Sequence, residues 1–164
     1  GNFIKLLSNT HNKKILKNEK IKEINYSYNK NIGTVRGMHY QIGKFKEKKI
    51  IYCLEGKILD VSINLAKKTK NKKIFKFILE AKKNNFLVIP KNYAHGYQVL
   101  KKNTKLLYFH TTEYNKKYER IINPLNNEYS KKINWPIKIS KISNKDRNSW
   151  TFVLAVDQIG LKKF

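Results

Sequence analysis

Between residues 58 and 65 the sequence reads Ile-Leu-Asp-Val-Ser-Ile-Asn-Leu. Leu59, Val61, Ile63 and Leu65 fall on one face, and Asp60, Ser62 and Asn64 on the other. A two-residue period is that of an extended strand, so this stretch predicts a half-buried strand. Short apolar runs follow the same pattern at residues 50–54, 74–79, 86–89, 97–100 and 106–109. Turn signals separate them at Glu55-Gly56, Lys83-Asn84-Asn85, Lys91-Asn92 and Lys101-Lys102-Asn103. Strands recurring about every ten residues predict an all-β sandwich or barrel. Gly56 and Gly96 adjoin strands, where a tight turn or a close backbone approach uses a missing side chain. Residues 118–150 hold Pro124 and Pro136 and little periodicity, which predicts extended chain and loop folded back on the barrel. Residues 150–161 are apolar enough to dock, and the pattern allows either a strand or a helix. No internal repeat is visible.

Length and composition narrow the class. The 164 residues suffice for one domain of about 150 residues, and 40% hydrophobic with 12% aromatic content is too much for a disordered basic chain. No apolar stretch approaches the roughly 20 residues of a membrane span, and the start lacks a signal-type apolar region. A cytoplasmic location is the default expectation. Cys53 is the single cysteine, which excludes an internal disulfide and a Cys-based zinc finger.

The formal charge of +25 invites a nucleic-acid reading. Yet only Arg36, Arg120 and Arg147 among the 36 basic residues are arginine, the residue whose planar fork reads phosphates and bases. The lysines spread from Lys5 to Lys163 amid many Asn and Ile. This is the mark of an AT-rich coding bias acting on solvated positions, and it leaves the arginines, histidines and tyrosines as the better candidates.

The densest chemistry lies in Arg36-Gly37-Met38-His39-Tyr40-Gln41. In a regular strand His39 and Gln41 share a face while Arg36 leaves from the edge. A second cluster, Ala94-His95-Gly96-Tyr97, predicts a histidine in a turn before a strand, and Tyr108 sits in the apolar run Leu106-Leu107-Tyr108-Phe109. Taken singly, each His or Tyr is explained as a hydrogen-bonded core residue.

Together they match a family. The hexapeptide at 36–41, Lys49, the stretch 56–60, Ile89-Pro90, Ala94-His95-Gly96, Leu107-Tyr108, Glu119-Arg120, Trp135-Pro136 and Ser143-Asn144-Lys145-Asp146 are all involved. In order and spacing they resemble the dTDP-4-dehydrorhamnose 3,5-epimerase family from about Asn25 to Asp146. The resemblance implies a single all-β domain over residues 1–164, a cupin-type antiparallel β-barrel or jelly roll with a loop-rich C-terminal segment. It also implies a homodimer acting on a nucleotide-diphosphate 4-keto-sugar, with no cofactor, in deoxy-sugar synthesis for surface polysaccharide.

The same resemblance assigns roles. His39 matches the base, Asp146 the carboxylate that orients it, Lys49 the cation beside the ketone, and Tyr108 the acid on the opposite face. Arg36 matches a diphosphate contact and Tyr114 the aromatic that stacks on the base. Gln41, His95, Glu119, Lys145 and Phe3 match further substrate contacts. The chemistry asks for these types independently, because a ketone acidifies the C–H bonds beside it and a base and an acid on opposite faces invert the carbon. The family begins earlier, with an arginine-bearing loop whose aromatic Phe3 matches. Here Lys5 stands where an acidic contact is expected, and Ile24-Asn25-Tyr26 matches the binding triplet in part. The nucleotide, whether dTDP, GDP or CDP, stays open, as does inversion at C3, C5 or both. Metal-binding cupins carry His-x-His in the first motif; here the pattern is His39-x-Gln41, so no metal centre is expected. Two other classes stand as alternatives: a non-catalytic sugar- or nucleotide-binding cupin and a basic barrel that stacks nucleic-acid bases on its aromatics.

Overall fold

The computed structural model describes residues 1, 3, 5, 6, 8, 13–66 and 72–149. The strands are β1 (Glu23–Asn29), β2 (Thr34–Gln41), β3 (Lys49–Glu55), β4 (Lys57–Asn64), β5 (Ile74–Glu80), β6 (Phe86–Ile89), β7 (Tyr93–Val99), β8 (Thr104–His110), β9 (Glu119–Ile121) and β10 (Lys141–Ile142). Helices α1 (Asn127–Ile133) and α2 (Asn144–Arg147) lie in the C-terminal third. The strands form two sheets, one in the order β1-β8-β3-β6 and the other β10-β2-β7-β4-β5, with β9 also paired to β2. All pairings are antiparallel except that of β10 with β2. The chain passes from one sheet to the other at Gly56, between β3 and β4. Gly56 has φ +84° and a Cβ there would strike Thr104, so only glycine makes this crossing without strain.

The core between the sheets gathers Ile51, Cys53, Ile58, Leu79, Ile89, Tyr97, Val99 and Leu106. Burial pushes the Cys53 thiol up to about 11, so it acts as a small apolar filler. A second cluster lies on the outer face of the second sheet, where Met38, Leu59, Val61, Ile63 and Ala94 are covered by Ile122, Tyr129 and Ile133. A third, Leu16, Ile50, Tyr52 and Phe109, sits outside the first sheet beneath residues from the N-terminal segment.

The strand at 58–65 is therefore buried on both faces, and the half-buried expectation is corrected. Leu59, Val61 and Ile63 face the C-terminal segment, while Asp60 and Ser62, 0% and 5% exposed, turn inward between the sheets. Alternation reports a contrast in polarity, and here the polar face looks into a cavity that the protein furnishes with its own partners. The inverse occurs in β1, which the apolar pattern did not single out. Ile24, Tyr26 and Tyr28 point outward and are about half exposed, and Asn25, Ser27 and Asn29 point in.

Residues 118–149 do fold back as expected, but with more regular structure than their composition suggests. Helix α1 starts at Asn126, whose side chain accepts the Glu128 N–H at 2.9 Å, and ends on left-handed Asn134. It presents Tyr129 and Ile133, one turn apart, to the sheet. Two apolar positions in seven residues were too few to read as a helix. The expectation for residues 150–161 lies outside the described residues.

Ile133 is fully buried against β4. Ile133→Ala is expected to cost about 2–5 kcal/mol, measured as a lowered urea midpoint with an unchanged slope.

Candidate active site

Strand β2 builds the site because it is paired along both edges. On one edge it meets β7, with Val35 opposite Gln98, Arg36 opposite Tyr97 and His39 opposite His95. On the other edge β10 pairs with Thr34 and Val35, and β9 with His39 to Gln41. Two residues on one side of the β7 ladder face one on the other between Arg36 and His39. The break is packed glycine on glycine. A Cβ on Gly96 would lie 2.6 Å from the Arg36 carbonyl oxygen and from the Met38 sulfur, and Gly37 carries φ +113°.

This bulge overturns the expectation that Arg36 leaves from the edge. The extra residue resets the alternation, so Arg36 and His39 line one cavity of about 380 Å³ together with Lys49, His95, Tyr108 and His110. No described carboxylate forms an ion pair with the Arg36 guanidinium. His95 likewise lies within β7 and not in a turn before it.

The parallel pairing of β10 with β2 delivers α2 onto the same strand. Ser143 caps α2, its hydroxyl accepting the Asp146 N–H at 3.0 Å, and Asp146 is 2% exposed. The Asp146 carboxylate holds His39 Nε2 at 2.6 Å through Oδ1 and accepts the Gly37 N–H at 3.2 Å through Oδ2. Burial alone would raise this carboxyl. The His39 ring, the Gly37 N–H and Ser143 outweigh it and hold the group below the usual aspartate range.

Tyr108 enters the cavity from β8, in the opposite sheet. Burial first, then the Tyr97 hydroxyl and the Asp60 carboxylate beside it, push its phenol well above the ordinary value. It is a proton donor at neutral pH. A cavity with a carboxylate-bound imidazole on one wall and a protonated phenol on the other can take a proton from one face of a carbon and return one to the other. Lys49 enters from β3 and its Nζ lies 3.2 Å from Glu47 Oε1.

Tyr114, Glu119 and Lys145 also come together. Glu119 Oε2 accepts the Tyr114 hydroxyl at 2.9 Å and lies 2.5 Å from Lys145 Nζ, which sits 5.9 Å above the Tyr114 ring. The ring itself is half exposed at the rim. Gln41 serves the same rim: its amide nitrogen donates to the Glu113 carbonyl at 3.2 Å and its oxygen accepts the Asn115 N–H at 2.8 Å, pinning the loop that carries Tyr114. Phe3, 94% exposed, is not brought into any of these cavities.

Several wall residues escaped the sequence reading. Asp60 Oδ2 holds His95 Nε2 at 2.6 Å, Glu47 Oε2 holds His110 Nδ1 at 2.6 Å, and Ser27 and Tyr97 line the cavity beside Asn25 of the partly matching triplet. The inward polar positions of β1 were the available signal for Ser27. Nothing local marks Glu47 or Asp60, whose partners lie on other strands. Among the described residues no group of three or more His, Cys, Asp or Glu side chains is placed to hold a metal ion.

A family model described as dTDP-4-dehydrorhamnose 3,5-epimerase matches residues 1–153. The Shigella flexneri protein of that name is 32% identical over 124 residues, covering 74% of this chain and 66% of its own length, so the chain spans just under two thirds of that relative. Among solved structures, the dTDP-4-dehydrorhamnose 3,5-epimerase of Bacillus anthracis, with TDP and PPi bound, superposes with a TM-score of 0.78 at 28% identity. That match covers 89% of this chain and 85% of the other. The enzyme of the same name from Sulfolobus tokodaii gives 0.78 at 33% identity, with 90% and 80% covered.

A carboxylate whose folded pKa is depressed stabilises the fold above its unfolded value of about 4, and that contribution fades as pH falls through the folded value. Asp146→Asn should therefore lower stability by about 1–3 kcal/mol at pH 7, with a smaller deficit at pH 3. Urea midpoints at the two pH values check this, and an equal deficit at both would contradict it.

Proposed function

Because this chain belongs to the dTDP-4-dehydrorhamnose 3,5-epimerase family, we propose that it inverts C3, C5 or both of a nucleotide-diphosphate 4-keto-6-deoxyhexose. The observation that carries the reading is the opposition of His39–Asp146 on one sheet and Tyr108 on the other across a single cavity. The C4 ketone acidifies the neighbouring C–H bonds. His39 takes the proton, and Asp146 orients the ring and stabilises the imidazolium that forms. Lys49 offsets the negative charge that develops on the ketone oxygen as the enolate forms. Tyr108 returns a proton from the opposite face, and solvent restores both groups. The reaction needs no redox partner, because no net electrons move.

Arg36, without a carboxylate partner among the described residues, supplies a bidentate cation for the diphosphate. Tyr114 offers a stacking face for the base, with Glu119 and Lys145 fixing its position, and His95 borders the reacting sugar from β7. The substrate class assigns the chain to deoxy-sugar synthesis for surface polysaccharide in the cytoplasm. No helix among the described residues is long and apolar enough to cross a membrane. A homodimer fits the outer face of the first sheet, where Ile24, Tyr26 and Phe86 stay exposed, from 40% to 58%, beside the covered Phe109 and Tyr52. The spread of lysine over the surface favours a single dianionic substrate over a nucleic-acid chain.

Incubation with dTDP-, GDP- and CDP-linked 4-keto-6-deoxyglucose in deuterium oxide should place deuterium at C3, C5 or both for one nucleotide. Absence of exchange with all three would sink the reading. His39→Ala should lower exchange by about 10²- to 10⁴-fold, whereas Tyr108→Phe should keep exchange and lose inversion. For the assembly, Tyr26→Lys should shift a dimer toward the 19.5 kDa monomer in sedimentation equilibrium, and an unchanged mass would move the interface elsewhere.

A further inference from the structure

We propose that Glu47 is the positioning residue that places Lys49 for the reaction, and that His110 holds Glu47 for that purpose. The proposal rests on the epimerase reading above, in which Lys49 offsets the charge on the enolate oxygen. A lysine that is 8% exposed cannot be left unpaired, and Glu47, with its side chain equally buried, offers Oε1 at 3.2 Å. The carboxylate occupies part of the ammonium's hydrogen-bonding sphere and leaves N–H donors for the cavity.

What fixes Glu47 is its second oxygen. Oε2 lies 2.6 Å from His110 Nδ1, and His110 faces Lys49 directly across the β3–β8 pairing. The other ring nitrogen, Nε2, is 3.4 Å from Asn25 Nδ2. An amide nitrogen only donates, so Nε2 accepts and the ring proton resides on Nδ1, where it is given to Glu47. One tautomer satisfies both contacts. Burial would raise the Glu47 carboxyl, but His110 and Lys49 hold it below the usual range, so it stays charged between its two partners.

The grip extends to the cavity rim. Asn25 Nδ2 donates to Glu23 Oε1 at 2.5 Å, and Glu23 Oε2 accepts the Tyr114 N–H at 2.8 Å. An unbroken series of contacts runs from the loop carrying Tyr114 through Glu23, Asn25, His110 and Glu47 to Lys49. The His110 ring also stacks on Tyr108, with centroids 5.9 Å apart and planes 24° off parallel.

Two measurements test the assignment. In protein labelled with ¹⁵N-histidine and free of substrate, at a pH where the imidazole is neutral, the His110 ring should carry its proton on Nδ1. The Nε2 tautomer would overturn the placement, whether or not the protein is an epimerase. The second is a double-mutant cycle on solvent-deuterium exchange. Glu47→Gln should lower the exchange rate about 10- to 100-fold with KM within about twofold, and should add nothing further to Lys49→Met. The double variant leaves no bare charge, so this comparison survives a folding defect in Glu47→Gln alone. Wild-type exchange in Glu47→Gln, or the same loss in both backgrounds, would overturn the proposal. Absence of exchange in the unmutated protein would instead defeat the epimerase reading, and the tautomer would then decide the placement.

Discussion

Asp146 cannot be buried without partners, and satisfying it is what ties the molecule together. The carboxylate needs the His39 ring and the Gly37 N–H, both on β2, and reaches them only because β10 pairs in parallel with the start of that strand. The same strand accepts β9 farther along, with main-chain bonds from Met38 N to the Ile122 oxygen at 3.1 Å and from Ile122 N to the Met38 oxygen at 3.0 Å. The connection between β9 and β10 must then cross the outer face of the second sheet, and it is this crossing that lays Tyr129 and Ile133 over Val61 and Ile63. A histidine–carboxylate contact in the cavity and an apolar cluster on the outside are thus two ends of one chain path.

The cavity repeats a single device three times. His39, His95 and His110 each hold a carboxylate at 2.6 Å, from Asp146, Asp60 and Glu47. In a chain with 36 basic and 11 acidic residues, three of the acids are committed to histidines around one space. The surface acids do different work, mostly answering lysines, as Glu19 does for Lys48 and Lys91, which hold it down at about 2 against the opposing pull of burial. Charge at the surface follows composition, whereas charge in the cavity follows geometry.

The sequence disclosed the sheets more readily than the wiring between them. Strands β3, β5, β6 and β8 coincide with apolar runs; in β3 and β8 the inward faces are packed against hydrocarbon, whereas β5 and β6 leave Phe77, Ile78 and Phe86 exposed. At β4 the contrast survives while burial does not follow it, since the polar face looks into a furnished cavity, so Asp60 reads as solvent-facing although it is fully buried. Arg36, His39, Tyr108 and Asp146 were legible through motif order. Their meeting was implied by the family resemblance alone; what brings it about is a bulge whose only local trace is the pair Gly37 and Gly96, and a two-residue strand, β10, too short to leave a pattern. Glu47 and His110 were invisible for a related reason: one is drowned in a lysine run, the other hidden at a strand end.

The separation of His39 from Asp146, 107 positions along the chain, also sets an order of events during synthesis. Growth proceeds from the N-terminus, so β1 to β8 can pair and close both sheets while residue 146 is still being added. A nascent chain at that stage has His39 and Tyr108 in place on opposite walls. It lacks the carboxylate that holds the His39 ring, and the outer apolar face of the second sheet lies bare. The contact of Asp146 with His39 and the covering of that face arrive together, with the segment that follows β8.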